Sequence, residues 1–209
     1  LNGCKTEEVD VIPYAAITVV NASPTSATYD AYLNDTKLNS AALPLGGGVS
    51  YRQQIAGTYN LKFTIAGRAE SILAQNVNLS ANTYHSFYLL GSANAFEGVF
   101  ATDDLSGTST TNAFVRFINL SPDAPALSLA IADGEAVGSG QSYKGIGTFA
   151  QVAAGTKSLE LKDASGTVMA TLTDVNLVAN GYYTIIARGL VTPVNSTDVA
   201  FGAQVIVTR

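Results

Sequence analysis

At 209 residues, nearly half of them apolar, the chain can bury one or two cores and has the opposite of a disordered composition. A net charge of −5, with the basic residues scattered rather than in runs, argues against nucleic acid and against electrostatic docking on an anionic membrane. No apolar run reaches the ~18–20 residues a membrane helix needs, and one cysteine, at position 4, leaves no internal disulfide, so any core must hold by packing.

Leu1-Asn2-Gly3-Cys4 resembles the end of a bacterial lipoprotein signal peptide, where a small residue precedes the cysteine that is cleaved and lipidated. Cys4 is therefore expected to carry the lipid. Lys5, Glu7 and Glu8 resemble the short lysine-plus-acidic tag that sends some Bacteroidetes lipoproteins to the cell surface. Acyl chains contribute roughly 0.8 kcal/mol per buried methylene, so a multiply acylated cysteine implies firm anchoring at the outer membrane, on its periplasmic face or at the cell surface. Residues 1–14 then read as a tether.

From there on the chain is written twice. Residues 17–24 end in Asn21-Ala22-Ser23-Pro24, and residues 115–122 end in Asn119-Leu120-Ser121-Pro122, a shift of 98 positions. The shift holds without a gap through Ala56-Gly57-Thr58 and Ala154-Gly155-Thr156, through Val77-Asn78-Leu79 and Val175-Asn176-Leu177, and on to Gly91 and Gly189. Residues 15–101 and 113–209 are thus two domains of one kind, joined by a small polar linker at 102–112.

Each copy carries strand signals every ~8–12 residues and no helical stripe. The clearest is 58–65, where Tyr59, Leu61, Phe63 and Ile65 alternate with Thr58, Asn60, Lys62 and Thr64; 157–162 repeats the pattern. Further strands are expected near 15–22, 28–34, 48–54, 71–79, 83–90 and 95–101, and near 113–120, 126–132, 147–153, 167–175, 182–189 and 199–208. Seven short strands per copy predict an all-β fold of two tandem Greek-key sandwiches. The strands beginning at Tyr84 and Tyr182 are large on both faces, so each is central to its sheet or lies where the copies touch.

Asn82-Thr-Tyr84 and Asn180-Gly-Tyr182 resemble the tyrosine corner of immunoglobulin-like sandwiches, with Tyr84 and Tyr182 bonding back to the backbone and Asn82 and Asn180 taking the turn. Asn21 and Asn119 are placed to close a turn on its own backbone while Pro24 and Pro122 set φ. The glycine-rich stretches 36–48 and 134–147 read as loops at a sandwich rim, where binding evolves. Tyr143 and Lys144 are the candidate ligand contacts there, with Tyr51 and Arg52 in the first copy. Catalysis finds little material. His85 is the one histidine, its counterpart is Tyr183, and it reads as an ordinary strand residue. Asp103 and Asp104 fall in the linker, where a solvated site tunes no pKa. No metal and no cofactor is expected.

Phe117-Ile-Asn-Leu-Ser-Pro-Asp-Ala-Pro125, then Ala153-Ala-Gly-Thr156, then Val175-Asn-Leu-x-Ala-Asn-x-Tyr-Tyr-Thr184 and Gly189 together resemble the bacterial domain-of-unknown-function family 4397, which occurs in exported proteins and often in tandem. The second copy resembles it more closely than the first, which lacks the Asp and the second Pro of the turn. The resemblance implies an immunoglobulin-like or transthyretin-like sandwich outside the cytoplasm and supplies no catalytic residue. The expected function is a non-catalytic structural, adhesive or protein-interaction module of the envelope. The alternative is a glycan-binding lipoprotein of a polysaccharide uptake system, which two or three exposed tyrosines with polar neighbours on one rim would favour.

Overall fold

The computed structural model describes residues 12–92 and 95–209, and its regular structure is all β. Cys4, Lys5, Glu7 and Glu8 lie outside the described residues. The first half holds β1 (Tyr14–Asn21), β2 (Tyr29–Leu33), β3 (Thr36–Lys37), β4 (Arg52–Ile55), β5 (Gly57–Ile65), β6 (Ser71–Leu79), β7 (Tyr84–Ser92) and β8 (Ala95–Asp103). The second holds β9 (Asn112–Asn119), β10 (Leu127–Ile131), β11 (Ala136–Gln141), β12 (Ala150–Ala153), β13 (Gly155–Lys162), β14 (Val168–Leu177), β15 (Tyr182–Arg188) and β16 (Gly202–Val207).

Both halves are wired alike. The inner sheets run β4-β1-β7-β8 and β12-β9-β15-β16; the outer sheets run β3-β2-β5-β6 and β11-β10-β13-β14. Every pairing is antiparallel except β1 with β7 and β9 with β15. Strand alternation places one core in each sandwich. Ile17, Leu61, Phe63 and Phe87 are sealed in the first, and Val115, Leu129, Leu159 and Ile185 in the second. Burying a side chain of this size is worth ~1.5–3 kcal/mol. Thr64 departs from the simple alternation: it lies on the outer face opposite Asp30, and both are buried, with Lys37 and Asn39 bonded to the Asp30 carboxylate.

Two expectations need correcting. The stretches 36–48 and 134–147 are not wholly loop, because each supplies a short fourth strand, β3 or β11, to its outer sheet. Those strands are held by backbone pairing at a sheet edge, which leaves little mark in side-chain periodicity. The stretch 102–112 is shorter as a linker, since β8 continues to Asp103, and Asp103 is buried rather than solvated.

The inner sheets also have second faces, and these meet. Val20, Tyr88, Leu90 and Val99 of the first half form one buried cluster with Ile118, Leu120 and Ile186 of the second. Period two explains how one strand serves both contacts. From β7, Phe87 and Leu89 enter their own core while Tyr88 and Leu90 enter the seam. The strands that are large on both faces are therefore central to their sheets and also at the contact between the halves.

Candidate functional site

Polar chemistry converges at the seam. Arg116 on β9 and Asp103 at the end of β8 form an ion pair, Nη1 to Oδ1, at 2.6 Å, with side chains 2% and 0% exposed. Arg116 Nε donates to Thr184 Oγ1 at 3.0 Å, and Nη2 donates to Tyr88 Oη at 3.3 Å and Ser86 Oγ at 3.5 Å. Asp103 Oδ2 accepts from Tyr51 Oη at 2.6 Å and from Ser86 Oγ. Burial, with the Asp103 charge adding to it, pushes the Tyr51 phenol well above its usual range, so it remains a donor at any physiological pH. The guanidinium also lies 4.5 Å from the centre of the Phe149 ring. Buried charges need partners of this kind, since an ion left alone there costs several kcal/mol.

Two aromatic stations flank this network, one from each half, at positions related by the same shift of 98. In the second half Tyr182 meets Phe149 edge to face, centroids 5.1 Å apart at 82°, and Phe114 stacks on Tyr182 at 4.6 Å and 13°. The station is covered: Leu105 packs on it, Tyr182 Oη donates to the Gly107 carbonyl at 2.7 Å, and Tyr182 is 1% exposed. In the first half Tyr84 meets Tyr51 in the same way, 5.1 Å apart at 80°. Ala16 stands where Phe114 stands in the other half, and Tyr84 is 37% exposed. Each station borders a cleft. That on Thr18, Tyr51 and Ser86 has a volume of about 180 Å³; that on Arg116, Phe149 and Tyr182 about 410 Å³. Among the described residues no three His, Cys, Asp or Glu side chains converge on a metal position.

Residues 15–130 match the family described as Domain of unknown function (DUF4397). The chain belongs to that family. The match covers the first half and extends through the Phe117–Pro125 motif into β10, so of the stretch 115–189 that carries the closer resemblance it takes in the start. No curated protein matches the chain. Three solved structures similar to it include the Bacillus anthracis TIE protein, at 9% identity and TM-score 0.26 over 85% of this chain and 34% of that one. CBMbc (family CBM26) from Eubacterium rectale Amy13K in complex with maltoheptaose is 10% identical, at TM-score 0.27, over 93% and 97% of the two chains. A leucine-rich repeat protein from Bacteroides thetaiotaomicron is 13% identical, at TM-score 0.21, over 90% and 27%. The DUF4397 chain thus spans about a third of the first of these and about a quarter of the third.

Within the DUF4397 chain, three of the four candidate ligand residues are engaged at the seam. Tyr51 holds Asp103, as above. Tyr143 Oη donates to Glu97 Oε1 at 2.7 Å, and Lys144 pairs with Glu97 Oε2, joining the second half to β8 of the first. Arg52 stays exposed and donates at 3.5 Å to the Leu38 carbonyl.

The corner tyrosines are a correction. Tyr84 and Tyr182 face the seam, and the bond back to the backbone comes one residue later: Val178 N–H donates to Tyr183 Oη at 2.9 Å, and Ser80 N–H donates to His85 Nε2 at 3.2 Å. Strand parity decides this, because the corner residue must point into its own core. His85 is therefore more than an ordinary strand residue. Asn82 and Asn180 take φ of 58° and 65° in the preceding turns.

The Asn-x-Ser-Pro turns have equivalent hydrogen bonds. Asn21 Oδ1 accepts from Ser23 N–H at 3.0 Å and its Nδ2 donates to the Leu43 carbonyl at 3.0 Å. Asn119 Oδ1 accepts from Ser121 N–H at 3.2 Å, and its Nδ2 donates to the Pro125 and Gln141 carbonyls at 3.1 Å. Ser23 and Ser121 Oγ donate to the carbonyls of Gly91 and Gly189, both at φ 78°, where an added Cβ would strike the backbone of Ala95 or Ala200. Pro24 is buried and its carbonyl accepts from Val199 N–H, whereas Pro122 is exposed in its turn. Asp123 accepts from Val191 and Thr192 N–H at 2.9 and 2.8 Å, closing a loop.

Sequence reasoning passes over Arg116 and Ala16 and places Asp103 in a solvated linker. The available signals were a lone cation within an apolar strand and, at the 98-residue shift, alanine set against phenylalanine.

Proposed function

We propose that the protein is a non-catalytic interaction module of the bacterial envelope, built from two tandem DUF4397 domains at 15–101 and 113–209 and tethered to the outer membrane through Cys4. The seam carries this reading. An interface with its own apolar cluster and a buried ion pair holds the halves as one unit, which suits presentation of fixed surfaces to a partner. Transthyretin-like is the better description of each sandwich. The first and second strands lie in different sheets and the first pairs in parallel with the seventh, whereas immunoglobulin sheets keep strands A and B together. Applying the soluble fragment that begins at Lys5 to a glycan array and to outer-membrane extract tests the function. Capture of a partner that is recovered unaltered supports the module; recovery of a chemically changed partner ends the non-catalytic reading.

A glycan-binding role is a second reading, favoured by one observation. Tyr14 and Tyr84 are 42% and 37% exposed on the seam-facing side of the first half, beside the half-buried Tyr51 and the exposed Gln53. Exposed aromatic rings with polar neighbours suit sugars, whose faces are apolar and whose edges are hydroxylated.

A further inference from the structure

We infer that the step above Ala16 is a stacking site for one pyranose ring of a neutral glycan, an assignment that rests on the glycan reading and locates it. The internal repeat supplies the template. In the second half the ring of Phe114 lies flat on Tyr182 at 4.6 Å; in the first half Ala16 leaves that position beside Tyr84 without a ring. The backbone is the same in both, since Ala16 pairs with Tyr84 on β7 and Gln53 on β4, as Phe114 pairs with Tyr182 and Gln151. The Tyr84–Tyr51 geometry also matches Tyr182–Phe149, 5.1 Å and 80° against 5.1 Å and 82°. By that comparison, the place that one flat ring takes in the second half is, in the first, a slot over Ala16 beside a Tyr84 that is 37% exposed.

The rim decides the occupant. Register sets Gln53 across from Ala16, Tyr14 two residues before it on the same face, and Ile55 across from Tyr14. Tyr14 and Tyr84 carry phenol hydroxyls and Gln53 an amide, groups that donate and accept, while the Tyr51 hydroxyl stays committed to Asp103. A phenyl ring fills the slot, as Phe114 does, but engages none of these groups. A pyranose offers a flat C–H face to Tyr84 and equatorial hydroxyls to the rim. None of these rim residues is a cation to receive a uronic or sulfated sugar, and Arg52, opposite Ile17, belongs to the other face of the sheet.

The test titrates the full chain with neutral hexaoses of the malto-, cello-, xylo-, manno- and laminari- series. Binding is read by calorimetry and by tyrosine fluorescence, which no tryptophan obscures. At least one sugar is expected to saturate. Ala16→Phe, which rebuilds the second half's stack, and Tyr84→Ala should each weaken it at least about tenfold, the loss of one stacking contact. Tyr32→Ala on the outer sheet should leave binding unchanged, and an unaltered or raised melting temperature for Ala16→Phe separates lost binding from lost fold. Silence across the panel overturns the site and the glycan reading together. A sugar bound equally well by wild type and Ala16→Phe overturns this site and leaves the glycan reading standing. Saturable binding of N-acetylphenylalanine amide, lost in Ala16→Phe while every sugar is silent, reassigns the slot to a peptide ring and overturns the sugar.

Discussion

Asp103 closes the last strand of the first half, and Arg116 lies on the first strand of the second; their charged atoms meet 2.6 Å apart with both side chains sealed from water. The pair ties the two sandwiches at a point where neither could hold its charge alone. Tyr51, Ser86, Tyr88 and Thr184 supply the remaining hydrogen bonds, so the whole polar network depends on both halves being in place.

Removing one partner of this pair should cost far more than removing both. Arg116→Met strands the Asp103 carboxylate and is expected to cost about 3–5 kcal/mol, while the double change with Asp103→Leu should recover most of that loss. Urea denaturation of the four chains measures it. Additive single and double losses would contradict the coupling.

His85 should make the first half acid-sensitive. Burial lowers its pKa below the usual 6.5, opposed by the Asp103 charge, and Nε2 must be unprotonated to accept from Ser80 N–H. A depressed folded-state pKa means that the stabilisation is complete above pH 6.5 and is lost as pH falls through the folded value. His85→Tyr copies Tyr183 and removes that titration, so the fall in melting temperature between about pH 7 and pH 5 should shrink. An equal fall in both chains would refute it.

Asn119→Ala strips a side chain that is fully buried and makes three hydrogen bonds, leaving the Ser121 amide and two carbonyls without their partner. A loss of about 2–3 kcal/mol is expected in thermal or chemical melting. Asn21→Ala should show a comparable loss in the first half. Deficits below about 0.5 kcal/mol would mean that water replaces the amide.

The Glu97 contact should contribute little and respond to salt. Hydrogen bonds from Lys144 and Tyr143 hold its carboxyl below the usual 4.5, so the contact is complete above that pH and is lost as pH falls through the depressed value. The Lys144 and Glu97 side chains are 41% and 39% exposed, which limits the pair to about 1 kcal/mol or less. Lys144→Ala should flatten the acid limb of stability slightly, and 1 M salt should erase the difference from wild type.

Much of the fold was legible because its signals are local. The alternation in 58–65 and the Asn-x-Ser-Pro turns appear in the structure as β5 and as side chains bonded to their own backbone. The candidate site was harder to read. Tyr84 looked like a corner residue because the corner lies one position on, and a single step along a strand exchanges the core for the seam. Asp103 looked solvated because its sequence neighbours are polar, and what buries it comes from other strands.

The sequence by itself determined a duplicated all-β chain, since turn chemistry and period-two alternation act between near neighbours and recur at the 98-residue shift. Only the tertiary structure decided that the two inner sheets meet, that Arg116 finds Asp103, and that Tyr182 is covered while Tyr84 is open. The reason is that a strand's second face has no fate of its own. Whether it meets water, a ligand or another sheet depends on groups brought from far along the chain, and those contacts leave no periodic trace in the residues themselves.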